Sequence, residues 1–284
     1  MSSRLHSVVG RRAARTGLAV LMLFAAPMSV PVNAAPVTVR SPEGAAHGLL
    51  LVRSLNGETI GQGETTQVVK EGDLVESRLV FRFTDGSLHD EKVTFSQQRV
   101  FTMISYRLAQ HGPSFPNQLD LSIDRSTGHY TVRSQAETQG KEEVLSGQVD
   151  LPQDVYNGML IIVSKNLEKG ADETVNVLQF TPTLQVVSLQ LHAVDEQPIQ
   201  IDEVSRRAMH YVFNPQIGTI RELVGKATGK IPDQFHYHCW IEVDAVPKFA
   251  KFEGPLQLMG QIVRIEPVRP RLLAKPDDKE ISSK

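Results

Sequence analysis

DLVESRLVFRFTDGSLHDEKVTFSQQRVFTMISYRL, residues 73–108, is the stretch whose reading decides the fold. In its first segment Val75, Ser77, Leu79, Phe81 and Phe83 fall on one side. Glu76, Arg78, Val80 and Arg82 fall on the other. That period of two belongs to a β-strand with one buried face. Asp85-Gly86 follows, a pair that tolerates the positive φ of a tight hairpin. The alternation resumes from Leu88 to Ser96 and, past Gln97-Gln98, from Arg99 to Arg107. Three consecutive antiparallel strands are therefore expected, and nothing in them is chemistry.

Outward from this meander the pattern persists. Leu49 to Leu55 reads as a strand, and Asn56-Gly57 is a strong hairpin pair. Gly61 and Gly63 in the next strand mark a bulge or a close approach of another chain segment. As a phosphate cradle they fail, since neither a helical pattern nor a lysine follows. The run His111-Gly112-Pro113-Ser114-Phe115-Pro116 is a loop with Phe115 as its anchor. Beyond it Asn117 to Asp124 and His129 to Arg133 form a hairpin around Arg125 to Gly128.

One helix is expected, Pro152 to Glu168. Pro152 suits a first turn and Gly170 a residue just past the end. Val155, Met159, Ile162, Val163 and Asn166 recur at helical spacing, and Leu160 and Ile161 widen the stripe. A helix so apolar must be covered on more than one side. A second strand-rich block follows: Thr174 to Phe180, Leu184 to Val194, Ala208 to Phe213 and Gln234 to Val243. Asp195 to Pro198 reads as a turn, and Ile217 to Val224 as a short second helix. Phe249 to Glu253 and Gln261 to Glu266 pair across Gly254-Pro255. The expected architecture is mainly β: a curved antiparallel sheet or open β-barrel wrapped around the helix at 152–168.

The N-terminus has a different character. Arg4, Arg11, Arg12 and Arg15 precede an apolar run from Leu18 to about Val32, and Val32-Asn33-Ala34 supplies small residues for cleavage. This is the pattern of a secretory signal removed after Ala34. Pro27 and Pro31 interrupt a run already shorter than the roughly 20 residues a spanning helix needs. Ala13-Ala14-Arg15 after Arg11-Arg12 does not suit twin-arginine export. Residues 35–266 then make a single β-rich domain, and 267–284, dominated by proline and charge, a disordered tail. The expected location is periplasmic or secreted, with no stable membrane insertion after cleavage.

The chain has 30 basic and 32 acidic residues; four of the basic ones precede Ala35, leaving 26 against 32, a formal −6. That balance has no basic footprint for nucleic acid or anionic lipid. Cys239 is the single cysteine, so no intrachain disulfide exists.

Candidate sites are few. His236, His238 and Trp240 share one face of the segment HYHCW, with Tyr237, Cys239 and Ile241 on the other. Two histidines two apart can supply two metal ligands. The remainder would have to come from His210, Glu242 or Asp244, so a metal-dependent hydrolase on His236 and His238 is the weakest of three readings. No Gly-x-Ser-x-Gly elbow surrounds Ser114 or any other serine. Asp120 and Asp124 lie roughly 13 Å apart along a strand, wider than the about 5–9.5 Å between glycosidase carboxylates. No cofactor is expected. The apolar segment suggests a greasy cavity beside it, with Met159, Ile162, Val163 and Trp240 as candidate ligand-binding residues. Non-catalytic binding of an apolar ligand or a cell-envelope protein is the leading reading. A structural or protein-interaction module without ligand is the alternative.

With these residues in place, the chain resembles a group of exported bacterial β-rich proteins of unknown function. The resemblance rests on the Asn56-Gly57 hairpin, the segment FTDGSLHDE, the HGPSFP loop, Leu151-Pro152 before the apolar segment, and Trp240 leading to Lys251-Phe252-Glu253-Gly254-Pro255-Leu256. Its layout is also similar to the half-barrel-plus-helix of periplasmic lipoprotein carriers and to lipocalin-like binders. That likeness implies an architecture and names no functional residue.

Overall fold

The computed structural model describes residues 34–115, 117–136, 140–180, 184–201, 204–215, 237–257 and 260–268. The expected signal segment, the expected helix at 217–224, His236 and nearly all of the expected tail lie outside the described residues.

The residues after the N-terminal segment build one antiparallel sheet. Its first half is β1 (Ala46–Arg53), β2 (Thr59–Lys70), β3 (Leu74–Phe83), β4 (Leu88–Gln97), β5 (Phe101–His111), β6 (Asn117–Asp124), β7 (His129–Ala136) and β8 (Glu142–Gln148). Its second half is β9 (Asp172–Gln179), β10 (Gln185–Ile201), β11 (Val204–Pro215), β12 (Tyr237–Glu242), β13 (Lys248–Pro255) and β14 (Ile262–Pro267). The spatial order is β8-β7-β6-β5-β4-β3-β2-β1-β14-β13-β12-β11-β10-β9. Each strand pairs with its sequence neighbour, and β14 returns to pair with β1. The order is thus two meanders, β1 to β8 and β9 to β14, joined through β1 and β14, with β8 and β9 as the two edges. The expected mainly β, antiparallel architecture is present, but the sheet is not closed into a barrel.

The expected meander is β3, β4 and β5, and its alternation sets the buried face. Val75, Phe81, Phe83, Val93, Phe95, Met103 and Tyr106 are all buried. The two glycines of β2 have a definite role. Gly63 sits opposite Phe81, and a Cβ there would lie 2.5 Å from the Phe81 ring. The missing side chain is the space that the ring fills, as in aromatic cover of a strand glycine.

The helix expected over Pro152 to Glu168 is a correction. A single short α-helix, α1 (Leu160–Ser164), lies among turns. Between turns before it, Val155 makes a single parallel bridge to Asn176 of β9: Asn176 donates to the Asp154 carbonyl at 3.0 Å, and Tyr156 donates to the Asn176 carbonyl at 2.9 Å. The Asn157 side chain accepts from Leu178 N at 2.7 Å and donates to Leu178 O at 3.0 Å. Side-chain hydrogen bonds of this kind compete with helix formation. Gly158, at φ 69°, then turns the chain into α1 with its backbone against Tyr106 and Val93. The helical spacing was genuine burial in another conformation: Val155, Tyr156, Met159, Ile162 and Val163 join the core cluster shared with both halves of the sheet.

Two turns are corrected as well. Asp195 to Pro198 lies inside β10, with the register shifting between Ala193 and Asp195. Pairing to β9 stops at His192, so Pro198 occupies a stretch with one unpaired edge, where its missing N–H costs least. Gly254-Pro255 belongs to β13 and pairs with Val263 and Ile262, so the turn to β14 comes later.

Segments outside the sheet tie its interior together. Arg125 donates through Nη1 to Leu151 O at 2.7 Å, through Nη2 to Pro152 O at 2.9 Å and through Nε to Met103 O. The buried Tyr156 hydroxyl accepts from Val37 N at 2.8 Å. Asn166 Oδ1 accepts from Arg40 N and Ser41 N at 2.8 and 2.7 Å. The stretch before β1 is thereby fastened to the connection between β8 and β9.

Candidate functional site

Across the inner face, register places side chains in rows. One row runs Gly63, Phe81, His89, Gln110, Leu119; the next runs Thr65, Leu79, Glu91, Leu108, Leu121. From the second half, β10, β11, β12 and β13 contribute Leu189, Phe213, Tyr237 and Phe252. All of these but Gly63 line one cavity of about 470 Å³, with Leu160, Ile161 and Ile162 of α1 also in its wall. The volume falls among those of small-molecule sites, about 300–1,000 Å³, and the predominance of apolar side chains is their usual lining.

A few polar groups interrupt this surface. His89 is buried, 3% exposed, between the rings of Phe81 at 5.5 Å and Phe115 at 6.2 Å. Gln110 Nε2 lies 3.0 Å from His89 Nδ1 and 2.9 Å from the Leu256 carbonyl. An amide nitrogen only donates, and the Leu256 carbonyl only accepts. His89 Nδ1 is therefore the acceptor, and the ring proton sits on Nε2. That atom is buried and has no hydrogen-bond partner. Burial holds the His89 pKa down to about 4, so the ring is neutral near pH 7.

Two positions along β4, Glu91 accepts the Tyr106 hydroxyl at 2.7 Å and keeps part of its surface in the cavity. Burial raises its pKa, with the Tyr106 hydrogen bond pulling the other way. Tyr106 itself is raised well above the usual phenol range by burial and by Glu91. Lys165, just past α1, is the one lysine or arginine among the described lining residues. Its Nζ is paired with the buried Glu43 carboxylate.

The residues singled out in the sequence divide between places. Ile162 lines the cavity, whereas Met159 and Val163 are buried in the core beside it. Trp240 lies on the opposite face of the sheet from Cys239 and Ile241. There its ring stacks on His210 at 4.5 Å and lies under Lys251 Nζ at 3.7 Å. Its indole donates to Gln197 Oε1 at 3.1 Å. His238 meets His210, Nδ1 to Nε2 at 2.9 Å, which is the length of a hydrogen bond. The His210 pKa is lowered by burial and by His238. Among the described residues no three His, Cys, Asp or Glu side chains are grouped to hold a metal. Cys239 is fully buried and its thiol is pushed up by burial, away from the thiolate form nucleophiles need.

His89 and Glu91 were not among the expected site residues. The signal for them exists: in Leu88 to Ser96 the inward phase reads His89, Glu91, Val93, Phe95, two ionisable groups where the strands on either side carry Phe, Leu and Gln. Compared with family models, curated proteins and solved structures, the chain has no match in any of the three. The likeness described from its sequence therefore rests on the quoted residues alone.

Proposed function

We propose that the chain is an exported, non-catalytic binding protein that takes an apolar ligand into the cavity between the two halves of its sheet. One observation carries this reading: a cavity of about 470 Å³ whose wall is built mainly from Leu, Ile, Val and Phe side chains of distant strands. Filling such a space with water leaves apolar surface wet, whereas a hydrocarbon chain removes it at about 25 cal/mol per Å². The basic, acid-free opening of the chain and its apolar run support export.

The test is uptake of N-phenyl-1-naphthylamine by delipidated protein, followed by fluorescence. Saturable uptake at one probe per chain is expected. Ile161→Trp, which places an indole in the cavity wall, lowers the affinity at least several-fold with an unchanged far-ultraviolet spectrum. Absence of saturable uptake by the parent protein removes the ligand reading and leaves a protein-interaction module.

A further inference from the structure

The polar groups of the cavity have an uneven balance, and that balance selects among apolar ligands. The polar side chains nearest His89 and Glu91 are engaged with one another or with the backbone. Gln110 gives both amide hydrogens, to His89 and to Leu256. Tyr106 gives its hydroxyl to Glu91. Lys165, the lining cation, is neutralised by Glu43. Among the described lining residues, one buried side-chain N–H remains without an acceptor, at His89 Nε2. Buried donors without an acceptor are costly and uncommon in native interiors.

We propose that His89 Nε2–H receives the oxygen of an uncharged acyl lipid, an ester carbonyl in the first instance, while the chain of that lipid fills the apolar cavity. This deepens the reading of the cavity as a ligand site and rests on it. An ionised fatty acid fits the same space poorly. It would bury a carboxylate beside Glu91, with no free cation among the described lining residues to compensate, and burying an unpaired charge is far costlier than burying an ester.

Gln110, bonded to His89, also meets the connection from β13 to β14. That connection is tethered to the other half of the sheet by Gln110 to Leu256 O and by Gln257 Nε2 to Asn117 O at 2.6 Å. Leu256 and Gln257 both line the cavity. Leu256 therefore borders both the His89–Gln110 pair and the space the ligand occupies.

The experiment is displacement of N-phenyl-1-naphthylamine from the full protein at pH 8 by methyl decanoate and by decanoate, which share a chain length. The ester is expected to displace at a concentration at least about tenfold lower. His89→Leu weakens the ester about fivefold, the worth of one neutral hydrogen bond, and leaves decanoate unchanged. His89→Gln, which keeps an N–H, retains the preference. On the parent protein, the infrared carbonyl stretch of bound 13C-labelled methyl decanoate falls below its value in hexane. Decanoate binding as tightly as the ester, an unshifted carbonyl band, or an unchanged ratio in His89→Leu each overturns the assignment to His89. If the probe itself is not taken up, the cavity reading fails and this inference falls with it. Uptake without ester preference removes this inference alone.

Discussion

His89 is the residue at which structure and solution behaviour meet most directly. An ordinary histidine takes up a proton near pH 6.5, but this one is held near 4 by burial. Between those values the unfolded chain binds a proton that the folded chain refuses. Stability therefore rises with pH through this window and is lost as pH falls from about 6.5 toward 4. A depression of this size corresponds to about 3 kcal/mol at the low end. Glu91 runs in the opposite sense, because a carboxyl whose pKa is raised by burial loses stability as pH rises above its ordinary range. Comparing the parent with His89→Gln cancels the Glu91 contribution. Urea midpoints measured from pH 7 to pH 4 are expected to fall more steeply for the parent than for the variant. Parallel curves would show that His89 titrates normally.

At the scale of elements, the connection between β8 and β9 matters most, since it crosses from one half of the sheet to the other with only five helical residues. What holds its entrance is Arg125, whose guanidinium serves three backbone carbonyls, at Met103, Leu151 and Pro152. The carbonyls of Leu151 and Pro152 lie outside any strand or helix and have no ladder to turn to. Arg125→Met keeps much of the apolar stem and removes every donor, so it is expected to destabilise by about 2–4 kcal/mol. Arg125→Lys restores the charge but not the fork, and is expected to recover less than half of the loss. Urea unfolding with an unchanged slope checks both; a loss under 1 kcal/mol for the methionine variant would mean that water replaces the guanidinium without cost. The outer-face stack of His210, His238 and Trp240 under Lys251 is also an element-level device. It covers the sheet where the β10–β11 hairpin runs past the pairing with β9.

For the whole sheet, the decisive contact is the pairing of β1 with β14, which joins Leu50 to Pro267 and Val52 to Ile265. Every other strand pair is between sequence neighbours, so the meanders can form locally while this pair waits for most of the chain. Non-local closure costs chain entropy before it is rewarded, which places it late in folding. Val52 is fully buried at this seam. Val52→Ala is expected to destabilise by about 2 kcal/mol, with the loss appearing as about 20–30-fold faster unfolding and a folding rate nearly unchanged. Stopped-flow measurement of both arms decides it. A loss confined to the folding arm would place the seam in the transition state.

Alternation alone determined that this chain makes antiparallel strands and which side of each is buried. Val75 to Phe83 and the Asp85-Gly86 turn are local, because strand phase and turn conformation depend on neighbours in sequence. Periodicity also marked Val155 to Val163 as buried, yet it named the wrong backbone, since burial every three or four residues arises equally from a turn-rich segment pinned by Asn157 and Gly158. Only the tertiary structure decided that the two meanders join through β1 and β14 and leave β8 and β9 as the two edges. It alone paired His210 with His238, and it alone left His89 with a proton and no acceptor. Those outcomes depend on strands far apart in the chain meeting across one core, and no pattern read along a single strand carries that distance.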